Sequence, residues 1–279
     1  MTDIEIMSGD ASETTRHVAR WIVFLARVGY AAKGVVYIVV GALAARAAVG
    51  GGGRLTGTKG ALHAIGEGPF GTAALITVAA GLLGYALWRL INAITDAERK
   101  GDEPTGLMKR AGGAVRGLAY GGLGAQTIHF LATRDEGDGR EAETMTARVM
   151  TWPAGRWLVI LVGLGFLGYG AYQLYRAGSN KVLKNIDTLD AGAEGSRWIK
   201  RFGRFGIAAR AVVFAMIGAL LMRAAWKFNP AAAGGIDDSL SALAHGPRGA
   251  LVLGIVAAGL VSYGLFQLAT ARYRFMRIS

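Results

Sequence analysis

The chain contains no cysteine, which excludes disulfides, thiolate nucleophiles, cysteine-bound zinc and iron–sulfur clusters. Its histidines are few and widely separated, so they predict no metal or haem site. They are His17, His63, His129 and His245. Paired acids and a nucleophile beside a base are also missing. These absences predict a protein that is not an enzyme and that has no metal and no cofactor.

Apolar stretches of about 18–25 residues recur along the chain, a length that crosses roughly 30 Å of hydrocarbon as a helix. The mean hydropathy is +0.35. The sequence therefore predicts an all-α membrane protein with six transmembrane helices. The predicted spans are 20–46, 70–95, 107–133, 154–176, 201–225 and 248–272. Residues 1–15 lack the basic start of a signal peptide, so we expect the first span to direct insertion itself.

The net charge of +12 is unevenly distributed. Lys and Arg concentrate before span one, after spans two and four, and after span six, whereas the other three loops are sparser in them. By the positive-inside rule, both termini are predicted to be cytoplasmic. The basic loops then serve membrane topology and attract anionic lipid headgroups, and no nucleic-acid partner is expected.

One pattern occurs three times, each time across two apolar segments. The first segment reads Arg27-x-Gly29-x₃-Lys33-Gly34-x₂-Tyr37-x₃-Gly41 and recurs from Arg110 and from Arg204. The second runs from Pro69-x-Gly71 to Tyr85 and recurs from Pro153 and from Pro247. Repetition of this kind predicts one supersecondary unit per copy. The repeats are placed at 1–105, 106–196 and 197–279 within one membrane domain.

Each repeat is predicted to be a helical hairpin. Two spans per repeat make all three hairpins point the same way, so we expect parallel repeats around an axis along the membrane normal. The expected fold is a pseudo-threefold bundle. Sparse apolar residues before each proline, such as Leu62, Val149 and Leu240, predict half-turn helices that lie at the outer interface.

The triplicated hairpin resembles a bacterial integral membrane family catalogued as domain of unknown function 1206. The resemblance covers residues 20–275 and implies a six-span protein of the bacterial inner membrane. It implies no activity, cofactor or catalytic residue. The chain departs from its own repeat at Gly113 and Ile207, where repeat one has Tyr30. Ala211 also replaces a glycine, and Phe214 replaces a tyrosine.

Cations, aromatic residues and glycines form stripes along these helices because they recur at intervals of four residues. Pairing of antiparallel helices predicts matching layers: glycine by glycine, aromatic by aromatic, and cation by Arg or Gln. The candidate ligand- or lipid-binding residues are Lys33, Arg116, Arg210, Tyr37, Tyr120, Tyr85, Tyr169, Tyr263, Arg89, Gln173 and Gln267. The glycines assigned to helix packing are Gly41, Gly124, Gly218, Gly81, Gly165 and Gly259.

The polar layer has two interpretations. In the structural one, the cations extend to the cytoplasmic headgroups and the tyrosines form an aromatic belt. In the functional one, an ionisable group inside the membrane marks a site, and an anion such as a lipid phosphate supplies the missing partner. Lys33 and Arg89 would be like charges in one layer, which requires an anion between them or different facing.

Two functions follow from these patterns. The first is a non-enzymatic inner-membrane protein that binds anionic lipid, or that acts as an accessory or scaffold subunit through its Gly-rich helix faces. A membrane-protein partner or a homo-oligomer would fit the scaffold role. The alternative is a channel or transporter for a small anion along the pseudo-threefold axis, because rings of Lys or Arg suit anion pores.

Overall fold

A computed structural model describes residues 3–50, 57–96, 101, 103–133, 141–179, 182 and 188–273. No β-strand occurs among them. The helices are α1 (Asp3–Ala48), α2 (Thr58–Gly66), α3 (Gly71–Thr95), α4 (Pro104–Thr133), α5 (Glu141–Met150), α6 (Gly155–Gly178), α7 (Thr188–Trp226), α8 (Ile236–Ala244) and α9 (Gly249–Tyr273). A 3₁₀ turn at Pro230–Ala232 precedes α8, and Gly192 interrupts α7 with a φ of 66°.

In the described part of the chain, five helices are long and apolar enough to cross a membrane, which makes this an all-helical, multi-pass membrane protein. They are Arg27–Ala48, Gly71–Thr95, Gly155–Gly178, Gly192–Trp226 and Gly249–Tyr273. The 30-residue helix α4, the third predicted span, is not among them. Its apolar residues alternate with glycines and with polar residues such as Gln126 and His129, which lowers its hydropathy.

The long helices pack in the order α4, α3, α1, α9, α7, α6. The first helix of each repeat packs against the second helix of another: α4 against α3, α7 against α6, and α1 against α9. Within a repeat, α1 packs against α3 and α7 against α9. Helices α4 and α6 form no comparable contact in the described part of the chain. The bundle is therefore an arc whose two ends both belong to the second repeat.

The first-helix glycines face a neighbouring repeat. A Cβ on Gly41 would lie 2.7 Å from Val261 of α9, and one on Gly124 would lie 2.9 Å from Leu83 of α3. Gly218 faces Gly163 of α6 in the same way. Without a Cβ these helices approach closely, as small residues allow in membranes.

The second-helix glycines pack within their own repeat, so the predicted glycine-by-glycine layers are wrong. Gly81 lies against Ala32, and Gly259 lies against Ala209. The two glycine sets differ in facing because the first helix packs between two partners and uses a separate face for each. The predicted packing role is also wrong for Gly165, which has no neighbour within 4 Å of a Cβ position.

The short helices α2, α5 and α8 are longer than the predicted half turns, and each places apolar residues against the core, those of α5 only partly buried. Leu62 of α2 and Leu240 of α8 belong to the main hydrophobic core. The Pro-x-Gly motif places each short helix against the next span. A Cβ on Gly71, Gly155 or Gly249 would clash with a carbonyl at the end of the preceding helix. These helices therefore pack against the bundle.

The arginine that opens the repeated pattern caps a neighbouring helix. Arg110 donates from Nε to Ala93 O at 2.9 Å and from Nη2 to Ile94 O at 2.9 Å, at the end of α3. Arg204 donates from Nη2 to Gly178 O at 2.6 Å, at the end of α6. Both arginines satisfy carbonyls that a helix end leaves without a partner.

The middle of the bundle is filled with apolar side chains. Val36, Val40, Val213 and Leu260 are buried in one continuous core. They also line a cavity of about 10 Å³ that reaches Arg210, which is close to the space one water molecule needs.

Two glycine substitutions distinguish the first and third hairpins, whose helices pack together, from the second hairpin, whose helices α4 and α6 form no comparable contact in the described part of the chain. A Cβ on Gly206 would clash with the backbone of Tyr263, whereas one on Gly165 would meet nothing. We expect Gly206→Ala to destabilise the protein by about 1–3 kcal/mol, the usual cost of overpacking. We expect Gly165→Ala to be neutral or stabilising, by up to about 1 kcal/mol, because alanine favours helix. Thermal unfolding in detergent, followed by tryptophan fluorescence, measures both, and equal losses would contradict the open second repeat.

A cation–tyrosine cluster as the candidate functional site

The three first-helix cations converge inside the bundle. Lys33, Arg116 and Arg210 each lie six residues after the arginine that opens their repeat, or about 9 Å along the helix at 1.5 Å per residue. Lys33 is 5% exposed and Arg210 is 7% exposed, while Arg116 is half-buried. We call these residues and the aromatic side chains around them the cation–tyrosine cluster.

Aromatic rings pair between repeats in a cyclic pattern. The ring centroids of Tyr85 and Tyr120 are 5.1 Å apart, those of Tyr169 and Phe214 are 5.2 Å apart, and those of Tyr37 and Tyr263 are 4.8 Å apart, all edge to face. Each pair joins the second helix of one repeat to the first helix of another. The predicted aromatic layer is present, but its pairs form between hairpins and not within them.

Lys33 lies inside a cage of three tyrosine rings. Its Nζ is 4.8 Å from the ring centroid of Tyr120, 5.5 Å from that of Tyr263 and 5.7 Å from that of Tyr85. The ring faces stabilise the ammonium through cation–π attraction. Among the described residues, Lys33 Nζ has no hydrogen-bond acceptor, so its capacity as a donor is unused.

Arg210 is held by two tyrosine hydroxyls. Its Nε donates to Tyr37 Oη at 2.9 Å, and its Nη1 donates to Tyr263 Oη at 3.1 Å. Its guanidinium also lies 4.5 Å from the ring centroid of Phe214. Because each hydroxyl accepts from Arg210, each keeps its own proton to donate elsewhere.

Arg89 binds to a separate aromatic group. Its Nε donates to Tyr85 Oη at 2.9 Å and its Nη2 to Tyr30 Oη at 3.1 Å, and it lies 4.4 Å from the Trp88 ring centroid. Arg89 and Lys33 both contact the Tyr85 ring. Their other partners differ, because Arg89 also contacts Tyr30 and Trp88 whereas Lys33 contacts Tyr120 and Tyr263. Different facing was one of the two arrangements expected for these like charges.

Tyr30 and Trp88 were not among the predicted site residues. A signal was present: the repeat that carries Arg89, where the others have Gln173 and Gln267, also carries Tyr30, where the others have Gly113 and Ile207. Two positions that differ in the same repeat indicated a contact between them. The two glutamines are also buried, with 2% and 4% of their surface exposed.

Arg116 differs from the other two first-helix cations. Its Nε is buried and has no hydrogen-bond partner among the described residues. The Tyr169 hydroxyl lies near enough to interact with both Arg116 and Arg210. Helix α6 carries Tyr169 and helix α4 carries Arg116, so the interaction between these two side chains connects the two ends of the arc.

The cluster is strongly positive. The charges that act most on Lys33 are Arg210, Arg89, Arg116 and Arg176. Within the described part of the chain, no carboxylate pairs with Lys33, Arg116 or Arg210. Lys33 and Arg210 do not extend to the headgroups as the structural interpretation predicts, because both are buried inside the bundle with their tyrosines.

These features define a multi-pass helical membrane protein built from three repeats, with cations and tyrosines buried between the repeats. The chain belongs to the family described as Domain of Unknown Function (DUF1206), whose profile matches residues 28–96, 111–179 and 205–274. The predicted resemblance is confirmed. The matched segments coincide with the three hairpins.

A bacterial relative covers nearly the whole chain. It is described as the uncharacterized protein YxxB of Bacillus subtilis (strain 168), and it is 32% identical over 265 residues. The alignment spans 95% of this chain and 96% of the relative. No solved structure matches this chain.

A double-mutant cycle tests the Arg89–Tyr30 contact. We expect Arg89→Gln and Tyr30→Phe each to destabilise the protein and to be non-additive, with a coupling of about 0.5–3 kcal/mol, as for residues in direct contact. Tyr172→Phe provides the control partner, because Tyr172 is exposed on α6 and should add independently to Arg89→Gln. Unfolding midpoints of the single and double variants give the coupling, and full additivity of Arg89→Gln with Tyr30→Phe would exclude the contact.

Proposed function

We propose that this protein is a non-catalytic protein of the bacterial inner membrane that binds an oxyanion, most simply the phosphate of an anionic lipid, in the cation–tyrosine cluster. The observation that supports this proposal most strongly is the burial of Lys33 in one group with Arg116, whose buried Nε has no hydrogen-bond partner, while none of the described residues supplies this group with a carboxylate. A buried charge is costly unless it is paired. A bound oxyanion supplies the partner that the described residues do not provide.

The donors around the cluster suit a phosphate. The half-buried Arg116 has an Nε–H without a hydrogen-bond partner among the described residues, and the Lys33 ammonium, with its three N–H donors, lies among tyrosine rings. Tyr37 and Tyr263 accept hydrogen bonds from Arg210 and can donate their own protons. Hydrogen bonds between a charged donor and a phosphate are about twice as strong as neutral ones. An ammonium, a guanidinium and phenol hydroxyls together match the several acceptor oxygens of one phosphate group.

The proposed topology has six spans with both termini in the cytoplasm. Helix α4 supports a sixth span because it is long and runs antiparallel to α3, with Gly117 beside Leu90 and Gly124 beside Leu83. Its glycines give it low hydropathy, but they also allow this close packing. The cation–tyrosine cluster then lies nearer to the cytoplasmic face, where anionic lipid headgroups attract basic residues.

The other predicted functions have less support. Most of the glycines assigned to packing contact helices of the same chain, so few remain for a scaffold interface. An anion channel along the axis needs a passage, whereas Val36, Val40, Val213 and Leu260 fill the bundle there. Anion binding needs no passage.

Charge removal at the cluster tests the proposed function. We expect Lys33→Gln and Arg116→Gln each to weaken retention of phosphatidylglycerol about tenfold or more, because a hydrogen bond to a charged group contributes about 1.5–3 kcal/mol. Native mass spectrometry after release from bilayer discs of equal phosphatidylcholine and phosphatidylglycerol measures retention. Lys109→Gln removes an equal charge from an exposed position on α4 and should leave retention unchanged.

Inorganic phosphate distinguishes a lipid headgroup from a free ion. If added phosphate stabilises the wild type in detergent and phosphatidylglycerol is not retained, the ligand is a soluble oxyanion. If the cluster variants match the wild type with both probes, the proposed site is wrong.

The absence of native cysteine allows a direct test of topology. Single cysteines at Val49 and Thr151 should react with a membrane-impermeant maleimide on intact cells, whereas a cysteine at Gly101 should react only after lysis. The pair Gly101 and Thr151 lies on either side of α4 and the short helix α5. Labelling of both from outside would show that α4 does not span the membrane and would overturn the proposed topology.

A further inference from the structure

The second repeat exposes positions that the other two repeats bury. Val115 is 66% exposed, while its equivalents Ala32 and Ala209 are buried. Val162 is 44% exposed, while its equivalents Val78 and Val256 are buried. The same contrast holds for Ala119, Gly165 and Gly168. In the first and third repeats these positions form the contact between the two helices of the hairpin.

The exposed positions lie on facing sides of one gap. Val115 and Ala119 are on α4, and Val162, Gly165 and Gly168 are on α6. Equivalent residues meet in the other hairpins, as when Gly81 packs on Ala32. We call the space between these two faces the α4–α6 gap. All five of its residues are apolar or glycine, so its walls suit hydrocarbon and not a hydrated ion.

The α4–α6 gap ends at two polar side chains, Arg116 and Tyr169. Arg116, whose buried Nε has no described partner, lies on α4 one residue after Val115. Tyr169 lies on α6 one residue after Gly168 and interacts with Arg116. Tyr120, also on α4, contributes its ring to the cage around Lys33. An anionic group in the gap would therefore meet Arg116 first and then the caged lysine.

Other approaches to the cluster are filled by packed side chains in the described part of the chain. Toward the cytoplasm, one side is covered by Tyr30, Tyr85 and Trp88, which form a buried aromatic cluster. Another side is covered by a second buried cluster that includes Ile199 and Phe266. Toward the outer face, the apolar core closes the bundle. On the lateral side, between α4 and α6, Val115 and Val162 are exposed instead.

We infer that the α4–α6 gap is a lateral entrance from the bilayer, through which an anionic glycerophospholipid places its phosphate at Arg116 and Lys33 while an acyl chain lies along the gap. This inference rests on the proposed function, since it assumes that the cluster binds an oxyanion. The apolar walls favour a lipid over free phosphate, because a soluble ion would have to shed its water between hydrocarbon-like surfaces. The ligand is thus a molecule with an anionic head and an apolar tail.

Filling the gap tests the entrance without touching the cations. Gly165→Phe places a ring where no neighbour lies within 4 Å of a Cβ. Ala171→Phe is the matched control on α6, because Ala171 is exposed and its equivalents Leu87 and Leu265 also face outward. We expect Gly165→Phe to lower phosphatidylglycerol retention about tenfold, close to the effect of losing a charged hydrogen bond. Ala171→Phe should retain lipid as the wild type does.

Val115→Trp fills the same gap from the α4 side and covers the case in which Gly165→Phe fails to fold. Both gap variants should keep any stabilisation by inorganic phosphate, because the cations remain. If both retain phosphatidylglycerol normally while Arg116→Gln loses it, the entrance is wrong and the site stands. If Arg116→Gln also retains it, the proposed function itself fails. If the gap variants convert a dimer to a monomer with lipid retention unchanged, a second copy occupies the gap and the inference is overturned.

Discussion

Buried positive charge is the constraint on which the rest of this structure depends. Lys33 and Arg210 are inside a helical bundle with other cations nearby and no carboxylate partner among the described residues. Like charges at short range repel strongly where the dielectric is low. Tyrosines stabilise these cations: ring faces surround the Lys33 ammonium, and hydroxyls accept hydrogen bonds from the Arg210 guanidinium. Because these aromatic residues come from all three repeats, the charged layer also sets how the hairpins meet.

The internal repeat explains why the cluster exists, and its imperfection explains why Arg116 is less enclosed than Lys33 and Arg210. Three equivalent cations and three equivalent aromatic pairs come together because the same pattern is written three times. A closed ring would bury them all alike. The second hairpin instead leaves α4 and α6 apart, so Arg116 lies beside an apolar opening while Arg210 is enclosed by its tyrosines. A triplicated hairpin has thus produced one cation, Arg116, whose surroundings differ from those of its two equivalents.

Much of the fold could be predicted from the sequence because helical period and hydrophobic length are local properties. The helices around 70–95, 154–176 and 248–272 lie within one or two residues of their predicted bounds. The candidate residues at the polar layer could be predicted for the same reason, since a spacing of four residues defines a helix face. It was harder to predict which side chains contact one another. Tyr37 pairs with Tyr263 of another repeat, and such a choice depends on how hairpins are arranged around one another.

The glycines show the same limit. The repeat placed Gly165 in register with Gly81 and Gly259, and all three were assigned to packing, yet only the latter two contact another helix. A glycine at an equivalent position in each repeat allows close helix packing there, but it does not determine whether another helix lies opposite. The sequence by itself determined the helices, the threefold repetition and the residues that form the polar layer. The tertiary structure alone decided that Lys33 is caged and that the second hairpin is open, because both depend on distances between helices that no local pattern contains.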